Sequence, residues 1–122
     1  MEHYFTNNDT LKSEIRKIEY SIFDTSFIFY SDLGVFSKNK IDFGSQELIK
    51  EYLKYAKQEI KVLDVGCGYG YLGVVASKIT NSEVTMVDVN KRAVHLAKRN
   101  IEHNKVNANA LLSDAYENVK DI

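Results

Sequence analysis

The stretch VLDVGCGYG, residues 62–70, decides the fold of this chain. The apolar run that ends in this stretch begins at Ile60 and leads directly into glycines at positions 66, 68 and 70. A short apolar run bounded by glycines is typical of a buried strand that turns sharply into the next element. Apolar residues then recur at helical spacing from Leu72 to Ile79. The stretch therefore predicts a strand over 60–65, a tight glycine turn and a helix.

The same alternation continues towards the C-terminus. Residues 84–87 predict a second strand that ends at Asp88, and Asn90 is a suitable N-cap for the helix that follows. Residues 110–112 predict a short third strand that ends at Ser113-Asp114. Strands that alternate with helices across short loops form parallel sheets with right-handed crossovers. We therefore expect an α/β fold that contains one wound half of such a sheet.

Two further elements are predicted upstream. Polar and apolar residues alternate over 17–22, and 27–30 is a second, more apolar run, so we expect an antiparallel hairpin. Ser45 is the expected N-cap of a helix over 46–57. The chain then divides into residues 1–44, which hold a tail, the hairpin and a lead-in loop, and residues 45–122, a partial ligand-binding domain.

Composition excludes several classes of protein. The 122 residues include 16 basic and 17 acidic side chains, so the bulk basic footprint of a nucleic-acid-binding protein is missing, although an RNA-modifying enzyme can be neutral on average. One cysteine excludes an intrachain disulfide and a cysteine-based zinc site. No apolar run approaches the roughly 20 residues that span a bilayer, and the N-terminus lacks the layout of a secretory signal. We therefore expect a cytoplasmic protein with no membrane partner.

Each predicted parallel strand ends in residues suited to binding a ligand, because ligands of open α/β sheets lie beyond the carboxyl ends of the strands. Glycines 66 and 68 let a ligand approach the backbone, yet residues 68–73 also fit the dinucleotide pattern G-x-G-x-x-G. Asp64 favours a ligand with a cationic amine over a pyrophosphate. Asp88 can accept both hydrogen bonds of a ribose diol, and Asp114 can accept one from an adenine amine. The alternatives are a purely structural glycine turn, a solvated carboxylate near a helix N-terminus for Asp88, and an ordinary turn residue for Asp114.

These residues resemble a known family. Residues 62–70 resemble the first motif of class I S-adenosylmethionine-dependent methyltransferases. The upstream segments 29–37 and 41–45 resemble the lead-in of the methyltransferase small domain family, which includes the guanine-N2 methyltransferases of small-subunit ribosomal RNA. The resemblance runs from about residue 15 to the end of the chain. It implies a Rossmann-like class I methyltransferase fold, with residues 45–122 as a partial S-adenosylmethionine-binding domain.

The resemblance also implies the cofactor, S-adenosylmethionine, and the residues that hold it. By this resemblance Asp64, Gly66 and Gly68 line the methionine end, Asp88 holds the ribose, and Asp114 with Ala115 flanks the adenine. The segment 42–45 would lie over the pocket. The complete set of expected cofactor-binding residues is Asp64, Gly66, Cys67, Gly68, Asp88, Val89, Asp114 and Ala115.

One departure from the family affects what we expect of this chain. In the family a fourth strand follows and ends in an Asn-Pro-Pro motif that holds the acceptor nitrogen, whereas this chain has no proline and ends at Ile122. We therefore expect a fold truncated after the third parallel strand, with little transferase activity of its own. The strand at 60–65 would have one unpaired edge, which favours self-association. No catalytic residue and no metal ligand is assigned.

The function expected from these patterns is the cofactor-binding portion of a methyltransferase that modifies a guanine exocyclic amine in small-subunit ribosomal RNA. Ribosomal RNA would then be the partner of the intact enzyme. An NAD-binding oxidoreductase domain and a non-catalytic assembly fragment remain as alternatives. We interpret Cys67 as a small turn residue and not a nucleophile, because no general base lies near it in sequence. The basic residues of the third predicted helix are interpreted as a solvated face.

Overall fold

Five strands and three helices follow one another in the computed structural model, which describes residues 13–32 and 41–113. The elements are β1 (Ile15–Ile22), β2 (Thr25–Asp32), α1 (Phe43–Tyr55), β3 (Lys61–Val65), α2 (Tyr71–Thr80), β4 (Glu83–Asp88), α3 (Lys91–Asn104) and β5 (Ala108–Leu112). An antiparallel hairpin and an alternating β-α-β-α-β unit are both present, as the sequence predicts.

The three later strands form one parallel sheet in the order β3-β4-β5. Val65 at the end of β3 is paired with Val87, and Asp88 at the end of β4 is paired with Leu112. The carboxyl ends of all three strands therefore meet at one edge of the sheet. The glycine turn follows β3 at this edge, and α3 begins close to it.

The core lies between one face of the sheet and the helices. Met86 on β4 is fully buried and belongs to the same cluster as Val74 on α2 and Ala97 on α3. The backbone of α2 comes very close to the sheet, because a Cβ atom added to Gly73 would lie 2.5 Å from Cε of Met86. Glycine at position 73 therefore sets how closely α2 packs on β4.

The hairpin packs on the same core and is held by two asparagines of α3. Asn100 accepts a hydrogen bond from the backbone N–H of Tyr30 at 2.7 Å and donates one to its carbonyl at 3.0 Å. Asn104 does the same for Ile28, at 3.1 and 2.9 Å. Phe29 is fully buried and makes an edge contact with Tyr71. Two side-chain amides of a helix thus satisfy backbone groups that a neighbouring strand would otherwise pair.

The start of α1 differs from the sequence prediction. Asp42, and not Ser45, is the N-cap, because the Asp42 carboxylate accepts the backbone N–H of Ser45 at 2.8 Å and its hydroxyl at 3.0 Å. The helix begins at Phe43 and ends at Tyr55, earlier at both ends than the predicted 46–57. The division of the chain at residue 44 stays a prediction, although α1 crosses it. Residues 33–37 of the lead-in lie outside the described residues.

One side of β3 carries no strand in the part of the chain that the structure describes. The strand pairs with β4 alone, and Leu63 and Val65 are 40% and 55% exposed. Apolar side chains at an unpaired strand edge favour pairing with another molecule. None of the helices within residues 13–32 and 41–113 is long and apolar enough to cross a membrane.

We predict that Asn104→Ala lowers the free energy of unfolding by about 1–3 kcal/mol, because it leaves the N–H and C=O of Ile28 without their partners. Urea denaturation followed by circular dichroism measures the change. Asn107→Ala is the matched control, since Asn107 is exposed and its side chain forms no hydrogen bond with any of the described residues, whereas its backbone carbonyl accepts two. Equal stability of the two variants would contradict the role of Asn104.

We further propose that copies of this chain associate through the free edge of β3. Sedimentation velocity over a concentration series is expected to show oligomers of the parent chain, and Leu63→Lys with Val65→Lys is expected to shift them towards monomer. Phe23→Lys in the hairpin turn is the control, because Phe23 is 65% exposed but lies outside the sheet. A parent chain that stays monomeric throughout the series would exclude this association.

Candidate functional site

The turn after β3 is fixed by the neighbouring strand. The backbone N–H groups of Gly66 and Cys67 both donate to the carbonyl of Val87, at 2.8 and 2.9 Å. Gly66 has φ of 74°, a conformation that favours glycine, and a Cβ atom added there would meet nothing within 4 Å. The outer side of the turn is therefore open to a ligand.

Asp88 connects this turn to the start of α3. One carboxylate oxygen accepts the N–H of Gly68 at 2.9 Å, and the other accepts the N–H of Asn90 at 2.8 Å. The side chain is half-buried. Each carboxylate oxygen has a second acceptor position, so Asp88 can hold the turn and still accept hydrogen bonds from a ligand.

Asp64 is the group at this site that most clearly needs a partner. Its Oδ2 atom is buried and has no hydrogen-bond partner within the described residues. Burial and, to a smaller extent, the charge of Asp88 raise the pKa of Asp64 from 3.8 to about 6. A half-buried carboxylate beside a second carboxylate attracts a cationic hydrogen-bond donor.

Cys67 lies in the same turn and is a poor nucleophile. Burial raises the pKa of its thiol far above the ordinary value, and the charges of Asp64 and Asp88 raise it further. The thiolate is the reactive form, so the surroundings of Cys67 suppress its reactivity. This supports its interpretation as a small residue of the turn.

One residue outside the glycine motif, Asn100, also contacts the turn. Asn100 is fully buried and donates a hydrogen bond to the carbonyl of Tyr69 at 2.7 Å, in addition to its bonds with the hairpin. Burial and, to a smaller extent, the charge of Asp42 raise the pKa of Tyr69 to about 12. Sequence reasoning missed Asn100. The sequence did offer a signal for Asn100, because it follows Ala93 by seven residues and so lies on the apolar side of α3. A buried amide there must find hydrogen-bond partners.

The structure brings together most of the predicted site residues. Gly66, Cys67 and Gly68 form the turn, and Asp64 and Asp88 flank it at the adjoining strand ends. Val89 follows Asp88 directly and is half-buried. Asp114 and Ala115 lie outside the described residues. The neighbouring Ser113 donates its N–H to the carbonyl of Asp88 at 2.9 Å, so the end of β5 reaches the same edge of the sheet.

Comparison with known proteins identifies the family of this chain. The methyltransferase small domain matches residues 26–122. The chain belongs to this family. Its members are S-adenosylmethionine-dependent methyltransferases, which agrees with the resemblance seen in the glycine motif.

Three relatives show how far the similarity extends. The uncharacterized protein YbxB of Bacillus subtilis is 40% identical over 120 residues, which are 97% of this chain and 59% of YbxB. A ribosomal protein L11 methyltransferase of Acetivibrio thermocellus is 53% identical over 53 residues, which are 43% of this chain and 17% of that protein. The solved 16S rRNA N2 G1207 methyltransferase (RsmC) of T. thermophilus, in complex with AdoMet and guanosine, superimposes with a TM-score of 0.77 at 30% identity and covers 90% of this chain and 30% of that one.

The chain has the fold of these relatives but covers only part of their length. The chain spans about three fifths of the length of YbxB and smaller parts of the other two. The superposition on RsmC includes nearly all of this chain, and it confirms the expected class I methyltransferase fold with a hairpin in front of three parallel strands.

We predict that Asp64→Asn stabilises the fold at neutral and alkaline pH. The parent chain must keep a charged, half-buried carboxylate above pH 6, and a pKa raised from 3.8 to about 6 corresponds to on the order of 2–3 kcal/mol. As the pH falls from 6 towards 4 the carboxyl becomes protonated in the folded state first and then, around 3.8, in the unfolded state, so the advantage of the variant should shrink over this range. Urea denaturation between pH 4 and 8 measures this, with Asp24→Asn in the exposed hairpin turn as control. A pH-independent difference would contradict the raised pKa.

Proposed function

We propose that this chain binds S-adenosylmethionine at the turn formed by residues 66–68, as the cofactor-binding part of a methyltransferase that acts on a guanine exocyclic amine of small-subunit ribosomal RNA. The observation that carries the cofactor assignment is the buried carboxylate oxygen of Asp64, which has no hydrogen-bond partner among the described residues and lies beside an open glycine turn. When bound, S-adenosylmethionine supplies a methyl group activated by its positively charged sulfur.

The residues present fit this cofactor. Asp64 would accept hydrogen bonds from the cationic amine of the methionine moiety, which matches its missing partner. Asp88 would accept hydrogen bonds from the ribose diol with the acceptor positions that the turn leaves free. The roles of Asp114 and Ala115 at the adenine, and of Val89 as a cofactor-binding residue, remain predictions. Asn100 would act as a positioning residue, because it holds the carbonyl of Tyr69 within the turn.

The charge of Asp64 disfavours the NAD alternative. A dinucleotide brings a pyrophosphate to the glycine turn, and the half-buried carboxylate of Asp64 directly before that turn would repel it. Membership of the methyltransferase small domain family supports the same conclusion.

Ribosomal RNA is proposed as the substrate in preference to a ribosomal protein. The similarity to the 16S rRNA methyltransferase extends over 90% of this chain. The similarity to the ribosomal protein L11 methyltransferase is higher in identity but covers 43% of the chain. An RNA substrate also agrees with the cytoplasmic location expected from the sequence.

Titration calorimetry with S-adenosylhomocysteine and NADH, run side by side, tests the cofactor assignment. We expect binding of S-adenosylhomocysteine alone, with an affinity that falls as the pH decreases through 6, because Asp64 then loses its charge. Asp64→Asn should weaken binding about tenfold or more at pH 8, because it removes a charge-assisted hydrogen bond. Asp24→Asn should bind like the parent.

The Asp64→Asn variant separates a binding role from a structural one. The substitution is expected to raise stability and lower affinity at the same pH, and a residue that only maintains the fold would change both in the same direction. Binding of NADH in place of S-adenosylhomocysteine, or unchanged affinity in Asp64→Asn, would overturn the assignment.

A further inference from the structure

The outer side of α3 carries a cluster of basic and aromatic side chains that the proposed cofactor site does not use. They line a shallow groove of about 790 Å³ between α3 and β2. We call this surface the basic face, and its members are Tyr30, His95, Lys98, Arg99, His103 and Lys105.

The basic face concentrates positive charge in a chain that is close to neutral. Three cations, Lys98, Arg99 and Lys105, face a single carboxylate, Glu102, among the residues that line the groove. The whole chain has a net charge of −1, so this cationic surface is local. Helix α1 provides the contrast, because its Lys50 and Lys54 pair with acidic neighbours along the helix.

Two side chains of the basic face pack against the ring of Tyr30. The guanidinium of Arg99 lies over the ring of Tyr30, 3.7 Å from its centroid, and the ring of His103 meets Tyr30 edge-on at 5.4 Å. Tyr30 is fixed in turn by the two backbone hydrogen bonds to Asn100. The stacking orders the Arg99 side chain, which lowers the entropy lost when it binds a partner.

A second groove connects the basic face to the start of α3, beside the proposed cofactor site. This groove shares His95, Lys98 and Arg99 and continues to Lys91 at the start of α3. Lys91 follows Asn90, whose N–H is bound by Asp88 at the site. From His95 to Lys105 the basic face extends about 15 Å along the axis of α3, so it can contact more than one phosphate of a nucleic-acid strand.

We propose that the basic face docks the phosphate backbone of an RNA strand and leads it along α3 towards the site at the carboxyl ends of the strands. Lysine and arginine neutralise phosphates, and the Arg99–Tyr30 stack together with the histidine rings offers planar surfaces for unpaired bases. An acidic protein surface would use the cations but has less need of the rings. The inference rests on the proposed function, because it assigns a docking surface to the same RNA.

Fluorescence anisotropy of a labelled single-stranded RNA tests this, with the full 122-residue chain and a series of salt concentrations. The variant carries Lys98→Glu, Arg99→Glu and Lys105→Glu. The control carries Lys50→Glu, Lys54→Glu and Lys57→Glu on and after α1, which changes the net charge by the same amount. We expect the basic-face variant to bind RNA at least about tenfold more weakly than the parent chain. The slope of log K against the logarithm of the salt concentration should become shallower by about 2, and the control should bind nearly as the parent does.

A neutral version with Lys98→Gln, Arg99→Gln and Lys105→Gln guards against misfolding caused by the new carboxylates, and circular dichroism checks each variant. The neutral version should also bind RNA more weakly than the parent, by a smaller factor than the glutamate variant. No RNA binding by the parent, or equal losses in the basic-face variant and the control, would overturn the proposal. If the basic-face variant lost binding to ribosomal protein L11 but kept its RNA binding, the surface would be assigned to a protein partner, and the proposal would also be overturned.

Calorimetry with S-adenosylhomocysteine on the same samples separates this inference from the proposed function. The basic-face variant should bind S-adenosylhomocysteine as the parent does, because none of its substituted residues belongs to the glycine turn. A parent chain that binds S-adenosylhomocysteine but fails the RNA test refutes the docking surface alone. A parent chain that binds RNA through the basic face but not S-adenosylhomocysteine refutes the cofactor assignment alone.

Discussion

The carboxylate of Asp88 makes the contacts on which the rest of the site depends. It binds the N–H of Gly68 in the turn after β3 and the N–H of Asn90 at the start of α3, so one side chain joins two successive strand-to-helix connections. The turn is fixed from the other side by the carbonyl of Val87. The open surface of Gly66 and the buried oxygen of Asp64 keep their positions because these bonds hold the loop. Asp88 is therefore both a structural and a candidate binding residue.

The ionised form of Asp64 is energetically unfavourable in the free protein, and a cationic ligand would stabilise it. Burial and the charge of Asp88 both disfavour the ionised form of Asp64, whose pKa is raised to about 6. A chain selected for stability alone would have little reason to keep a buried carboxylate oxygen without a donor. Binding sites commonly retain such groups, because a ligand of complementary charge removes the free-energy cost of the unpaired group and is therefore bound selectively.

The sequence allowed the parallel sheet, the hairpin and the glycine turn to be predicted, because each depends on short-range patterns of apolar residues and glycines. Asp64 and Asp88 were found for the same reason, since strand ends can be located from the pattern. Asn100 was missed because its role depends on contacts with Tyr30 and Tyr69, which lie 70 and 31 residues away in sequence. The cap of α1 was misplaced because Asp42 and Ser45 are both good capping residues, and local sequence does not decide between them.

The pair of asparagines on α3 has a consequence for how the protein meets other chains. Residues 100 and 104 are separated by about 6 Å along the helix, close to the repeat of two residues along a strand, so a helix can match the hydrogen-bonding period of Ile28 and Tyr30. Helix α3 therefore closes this edge of the hairpin as a third strand would. Strand exchange or fibril growth from that edge would first have to detach the helix, which confines β-sheet extension of the described fold to its other edges.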